Sequence, residues 1–131
     1  IHVDNLSAVD LTEMGKIYHQ SERQICGVSG VFETENIKGC GIFILDENGN
    51  ITSFVEKPET SNSNLANAAI FLVNDFIFDF FSKEDTCFDF CRDILPQACF
   101  NMKPFKIDGF HIDIGTMENY VRAQKIAVSL S

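Results

Sequence analysis

The sequence predicts an α/β fold in which a mixed sheet is flanked by helices. Three observations predict it. Strand-like and helix-like stretches alternate along the chain instead of falling into separate blocks. An Asn48-Gly49 turn stands between two apolar runs, the strongest short-range sign of a hairpin. A length of 131 residues with 45% hydrophobic content supports one globular domain with a true core.

Each element follows from local chemistry. Residues 1–4 read as a short strand, as if the chain began in mid-domain, and residues 5–7 as the loop after it. Asp10 is placed to cap a helix running to about residue 20, with Leu11, Met14, Ile17 and Tyr18 at helical spacing and Glu13 completing a capping box. Residues 25–33 read as a strand in which Gly27 and Gly30 mark a bulge or a close backbone approach. Residues 39–46 and 51–56 form the hairpin arms, and Pro58 ends the second. After a polar loop at 59–64, residues 68–73 read as a buried strand. Asp75 opens a helix holding Phe76, Phe80 and Phe81, and a second helix covers residues 88–95, stopped by Pro96 or bent there into a further turn. Short strands at 105–107 and 110–113 flank Gly109, and the last helix runs from a Thr116 cap to about residue 127.

Charge excludes one class of partner. With 19 acidic against 10 basic residues the formal net charge is −9, which repels nucleic-acid backbones at long range. A small phosphorylated ligand remains compatible, because one Lys with a bound cation inverts the local field. The five cysteines are irregularly spaced, with neither a CxxC pair nor a secretory leader, and point to reduced thiols in a cytoplasm. Cys87 and Cys91 could share a helix face, where packing is favoured over a metal pair. No apolar run approaches the ~20 residues of a membrane span. The 13 Phe residues concentrate between Phe71 and Phe110, enough apolar area to serve either as core or as an interface.

Three places put polar groups at strand ends, where ligands collect in open α/β sheets. The first is Asp4, whose plainer reading is a cap on nearby backbone. The second is residues 53–58, where alternation places Glu56 opposite Val55 and Lys57. A carboxylate there can accept sugar hydroxyls and an ammonium can hold a phosphate, or the two can be an exposed pair before a turn. The third is residues 109–116, with His111 and Asp113 on one face, and Asp113 could converge with Asp4 on one Mg²⁺. His111 is better read as a hydrogen-bonded neighbour of the site than as a ligand.

Taken in order, these places resemble the sugar-1-phosphate nucleotidyltransferases, and the resemblance spans most of the chain. Residues 4–6 with Asp10-Leu11 resemble the family's G-D-x-L…D-L segment. Residues 41–58 resemble its G-V-V-x-x-D-x-x-G…F-x-E-K-P run, and residues 64–71 its N-A-G-I-Y strand. Phe88 to Pro96 is similar to the D-F…D-V-L-P helix, and Gly109 to Tyr120 to G-Y-W-x-D-I-G-T-x-x-x-Y. The resemblance implies a partial Rossmann-like sheet of the nucleotide-diphospho-sugar transferase type, the later, sugar-binding half of a catalytic domain. It also implies roles: Asp4 and Asp113 as Mg²⁺ carboxylates, Glu56 on sugar hydroxyls, Lys57 on the sugar phosphate, and Asn67 with the backbone near Gly41 lining the sugar pocket. The implied reaction joins a sugar 1-phosphate to an NTP, giving an NDP-sugar and pyrophosphate.

Departures from the pattern carry expectations too. Val3 and Ala69 stand where the family has Gly, and His111 where Trp is common. The residues Asp4-Asn5-Leu6 resemble members that pair GTP with manno-type or heptose 1-phosphates. The Gly-rich G-G-x-G-T-R-L segment that holds NTP phosphates has no counterpart among these residues, so the chain alone is expected to be inactive. A non-catalytic ligand-binding or oligomerisation module is the alternative, and a GT-A-type glycosyltransferase ranks last for want of an Asp-x-Asp motif. Exposed sheet edges and the Phe-rich segment lead us to expect a homo-oligomer.

Overall fold

A computed structural model describes residues 1–21, 24–81 and 89–129. Its centre is a five-stranded mixed sheet of β2 (Gly27–Glu33), β3 (Gly41–Leu45), β4 (Ile51–Glu56), β5 (Leu65–Val73) and β6 (Met102–Lys106), in the order β4-β3-β5-β2-β6. Only β6 runs parallel to its neighbour, β2. Pro104 sits in that edge strand, where a missing N–H costs the ladder least. A separate antiparallel pair joins β1 (Asn5–Ser7) to β7 (His111–Asp113).

The helices lie where their caps place them. Helix α1 (Leu11–His19) starts at Asp10, whose Oδ1 accepts from the Thr12 and Glu13 amides. Glu13 does not close a capping box: its carboxylate accepts from Lys16 Nζ at 2.5 Å instead. Helix α3 (Met117–Ser129) starts as expected, with Thr116 Oγ1 accepting from the Asn119 amide at 3.2 Å. Residues Asp75–Phe80 form a 3-10 helix and not an α-helix, capped by Asn74. The next helical stretch opens as a π-turn over Phe90–Ile94 and passes into α2 (Leu95–Ala98), with Pro96 near its N-terminus, where proline is tolerated. Cys87, which could share a helix face with Cys91, and the start of that helix at Phe88 lie outside the described residues.

The chain's first residues correct the sequence reading. Residues 1–4 are not a strand, and residues 5–7, read as a loop, are β1. The strand exists because it pairs with residues more than a hundred positions away, which no local pattern can display. The hairpin forms as read. Asp46 accepts from the Asn48 and Asn50 amides, and Gly49 has φ +76°, the left-handed backbone such a turn requires.

The core divides across the sheet. On one face Phe43, Phe54, Ile77, Leu95 and Met102 are buried together, and much of the Phe-rich segment packs onto them. On the other, Met14 of α1 packs with Val28, Ile70 and Ile107. Asn74 ties the layers: its amide donates to the Tyr18 hydroxyl at 2.7 Å and the Ile25 carbonyl at 2.9 Å, while its Oδ1 accepts from the Phe76 amide.

The most consequential irregularity lies between β2 and β5. From the Ser29–Phe71 pair to the Val31–Asn67 pair, β5 advances four residues while β2 advances two. Such a bulge kinks its strand and re-aims side chains. Ala69 sits within it at φ +51°. The bulge takes the carbonyls of Ala68 and Ala69 out of the ladder. The Asn5 amide donates to the first at 3.0 Å and the His2 N–H to the second at 3.3 Å, which docks the N-terminal segment on the sheet.

Candidate active site

A cavity of about 480 Å³ opens where β3, β4 and β5 meet the β1–β7 pair. Gly41, Glu56, Lys57, Asn67 and Asp113 all line it, together with Asn5, Cys40, Cys91, His111 and Arg122. Of the six residues singled out from the sequence, five therefore converge. Asp4 does not line the cavity. It borders it through β1: its carbonyl accepts from the Ile114 amide at 2.7 Å, beside the Asn5–Asp113 pair.

Glu56 and Gly41 are cross-strand partners on β4 and β3. A β-carbon at residue 41 would stand 2.6 Å from Glu56 Oε2 and 2.3 Å from Phe54 Cζ. The glycine thus makes room for the carboxylate to fold over the backbone. Strand alternation predicts Lys57 on the opposite face from Glu56, yet both line the same cavity. The reason is the backbone at Lys57, which turns to φ +48° while its N–H donates to the Cys40 carbonyl at 3.1 Å. A non-glycine residue held there costs of order 1–3 kcal/mol, and such strain concentrates at functional sites. Lys57 makes no ion pair among the described residues, so its ammonium is available to an anion.

Asn67 is held at both ends of its carboxamide. Its Oδ1 accepts from the Ala69 amide at 2.9 Å, an Asx turn, and its Nδ2 donates to Cys91 Sγ at 3.4 Å. Asp113 Oδ1 accepts from the Gly115 amide at 2.7 Å, leaving the other oxygen uncommitted among the described residues. His111 is fixed beside the cavity by a hydrogen bond between its Nδ1 and Ser7 Oγ and by a tilted ring contact with Phe32, centroids 4.4 Å apart. Burial lowers its pKa and so favours the neutral ring, against the pull of the Asp113 charge in the other direction. It is a hydrogen-bonded neighbour, in line with the sequence reading.

Two thiols complete the wall. Burial raises the Cys91 pKa to about 11, with Glu56 and Asp89 adding to it. Burial also raises that of Cys40, which feels Glu56 and Asp113 on one side and Lys57 on the other. Both are neutral thiols near neutral pH, and the cavity's charges are those of Glu56, Asp113, Lys57 and Arg122. Sequence reasoning passed over Cys40, Cys91 and Arg122. Cys91 reads as a packing residue, Cys40 as one more residue of a strand, and Arg122 lies on the exposed side of α3 with nothing local to distinguish it. The Asn67 carboxamide and the Glu56 and Asp113 carboxylates can hydrogen-bond hydroxyls in this hollow, and Lys57 and Arg122 can meet an anion.

Comparison with known proteins shows the family and the fold. The family model described as Nucleotidyl transferase matches residues 2–129. A bifunctional sugar-1-phosphate nucleotidylyltransferase/acetyltransferase of Sulfurisphaera tokodaii is 29% identical over 126 residues, covering 87% of this chain and 31% of that protein. A mannose-1-phosphate guanylyltransferase catalytic subunit beta of Drosophila melanogaster is 28% identical, covering 79% and 28%. Among solved structures, a UDP-glucose pyrophosphorylase complexed with UDP-glucose superposes with a TM-score of 0.74 at 22% identity, covering 98% of this chain and 54% of that one. A glucose-1-phosphate thymidylyltransferase from Bacillus anthracis, described as putative, gives 0.74 at 17% identity, covering 95% and 51%. The chain spans about a third or less of these curated relatives and about half of the solved chains.

Proposed function

This chain belongs to the nucleotidyl transferase family, and from that premise we propose that it forms the sugar-1-phosphate side of an enzyme joining a sugar 1-phosphate to an NTP. The observation that carries this reading is the convergence of Gly41, Glu56, Lys57, Asn67 and Asp113 on one cavity from three strands of the main sheet and from β7. Glu56 accepts sugar hydroxyls, Asn67 supplies a donor beside them, and Lys57 holds the phosphate as a point charge. In the reaction a phosphate oxygen of the sugar 1-phosphate attacks the α-phosphorus of the NTP, and the bond to the departing pyrophosphate breaks. No covalent enzyme intermediate is needed, so these residues work by positioning and by offsetting charge.

Mg²⁺ belongs to the same reading. Asp4 and Asp113 stand at neighbouring strands and offer hard carboxylate oxygens, with one oxygen of Asp113 already engaged by Gly115. Among the described residues no group of three or more metal-ligating side chains exists. Two carboxylates completed by phosphate oxygens and water are what Mg²⁺ ordinarily accepts; Asp113 would offer its oxygen from the cavity wall, and Asp4 would have to turn in from the rim. The ion would supply charge neutralisation between two anionic reactants. Arg122 lines the same cavity and supplies a second protein cation for an anionic ligand.

Within this reading the resemblance of Asp4-Asn5-Leu6 supports a GTP and manno-type pairing. We place the protein in a cytoplasm, consistent with the free thiols of Cys26, Cys40, Cys91 and Cys99. No helix among the described residues is long and apolar enough to cross a membrane. Self-association fits the exposure of Phe78 at 64% and Phe100 at 50%, and light scattering at rising concentration tests it. The family match and the convergent cavity favour the enzyme over a non-catalytic module.

The deciding experiment is calorimetric titration of the 131-residue chain with glucose 1-phosphate and mannose 1-phosphate, with and without Mg²⁺. Saturable binding that Lys57→Met abolishes supports the reading. Absence of binding to both, or binding indifferent to Lys57, defeats it. Because no Gly-rich phosphate loop occurs among these residues, the pure chain is expected to bind without forming NDP-sugar.

A further inference from the structure

The Asn67 carboxamide has four hydrogen-bonding positions, and the fold spends two of them on fixing its direction. The Ala69 N–H can only donate, so the atom facing it at 2.9 Å must be the amide oxygen. That places the NH₂ group toward Cys91, whose sulfur accepts one of its hydrogens at 3.4 Å. The second N–H has no partner among the described residues, and Asn67 lines the cavity.

Both holding groups are themselves held. Ala69 lies in the β5 bulge at φ +51°, with its carbonyl taken by the His2 N–H. Cys91 lies in the π-turn Phe90–Ile94, a wider helical turn of the kind that recurs at functional sites. Its position is set by Phe90, packed edge-on against Phe71 of β5 at 5.0 Å, and by Asp89, whose carboxylate caps the turn at the Arg92 amide. Cys91 is half-buried, lines the cavity and feels the charge of Glu56.

We propose that Cys91 is a positioning residue: with the Ala69 N–H it clamps Asn67 so that one amide N–H points at bound sugar, making the pocket select for an oxygen acceptor there. The inference rests on the sugar-phosphate reading of the cavity and adds to it a residue that orients the sugar without touching the phosphate. A rotated amide would present its oxygen instead and face the Glu56 side with a second acceptor. The clamp leaves Asn67 as donor and Glu56 as acceptor, a pair that reads a hydroxyl-bearing ligand from two sides.

The test compares unmodified chain with Cys91→Ala, Cys91→Val and Cys91→Ser, titrated with glucose 1-phosphate, mannose 1-phosphate and inorganic phosphate. Losing one hydrogen bond of ordinary strength predicts roughly fivefold weaker sugar 1-phosphate binding in the Ala and Val variants. Inorganic phosphate, held at Lys57, should bind all four proteins alike. The Ser variant, which keeps an acceptor, should recover part of the loss, whereas Val keeps volume and recovers none. Equal weakening of inorganic phosphate, or full affinity in the Ala and Val variants, overturns the proposal while leaving the cavity reading intact. Failure of the unmodified chain to bind either sugar phosphate overturns both.

A second measurement needs no variant. Peptide mapping after thiol alkylation should show Cys91 shielded by the sugar 1-phosphate that binds and not by inorganic phosphate. Equal labelling with and without that sugar phosphate contradicts the placement of Cys91 beside bound sugar.

Discussion

Glu56 lies against the backbone of Gly41 so closely that a methyl group at residue 41 would sit 2.6 Å from its Oε2. The same methyl would meet the ring of buried Phe54 at 2.3 Å. One glycine therefore sets both the packing of the β3–β4 ladder and the position of a site carboxylate.

Gly41→Ala is expected to destabilise the fold by about 1–3 kcal/mol, the usual cost of overpacking. Phe54 is only 5% exposed and has little freedom to retreat, whereas Glu56 can swing away. Sugar 1-phosphate affinity should fall along with stability. Urea unfolding with calorimetric titration checks both, and an unchanged midpoint with unchanged affinity contradicts the account.

Ala69→Gly should act in the opposite direction. Ala69 is at φ +51°, where an L-residue with a β-carbon costs roughly 1–2 kcal/mol that glycine does not. Part of that gain returns as extra unfolded-chain entropy, leaving a net stabilisation of about 0.5–1 kcal/mol. A thermal midpoint raised by a few degrees confirms it, and a lowered one shows that the Ala69 methyl packs better than the strain suggests.

Asn74 joins α1, the segment before β2 and the Asp75–Phe80 helix through three hydrogen bonds, to Tyr18, Ile25 and Phe76. Asn74→Ala should cost about 2–3 kcal/mol, since it removes the bonds and strands a carbonyl and an amide. Tyr18→Phe removes one partner only and should cost about 1 kcal/mol. Chemical denaturation of the single and double variants tests the pairing, because contacts that share a network are not additive.

Asp93 governs part of the response to acid. The Arg92 guanidinium, donating at 2.8 and 2.9 Å, and the Asp89 amide at 2.7 Å hold its pKa down from 3.8 to about 2. The folded chain keeps this carboxylate ionised where the unfolded chain takes up a proton. Its contribution is therefore complete above pH 3.8 and is lost as the pH falls toward about 2. Asp93→Asn should flatten the loss of stability across that window, and the difference should shrink in salt because the pair faces solvent. Identical acid profiles for variant and parent contradict this.

Much of the molecule was readable from local sequence because its causes are local. An Asp10 carboxylate reaches amides two and three residues ahead, and the Asp46–Asn50 turn closes on itself. The same holds for the Thr116 cap. These features depend on short-range hydrogen bonds and on glycine's backbone freedom, which a sequence states directly. The 3-10 and π geometries at Asp75–Phe80 and Phe90–Ile94 were not readable, since over so few residues the different periods of the helical forms do not separate and tertiary packing chose among them.

The sequence by itself determined the α/β class, the hairpin, the Asp10 and Thr116 caps, and the candidate residues Glu56, Lys57, Asn67 and Asp113 that one cavity gathers. Tertiary structure decided how they meet. The β1 strand exists only against β7, Lys57 joins Glu56 only through a left-handed backbone, and Asn67 faces the cavity only because β5 bulges and Cys91 stands across from it. The physical reason is range: caps and turns are settled within a few residues, whereas pairing register, bulges and cavity walls are settled by contacts between residues far apart in the chain.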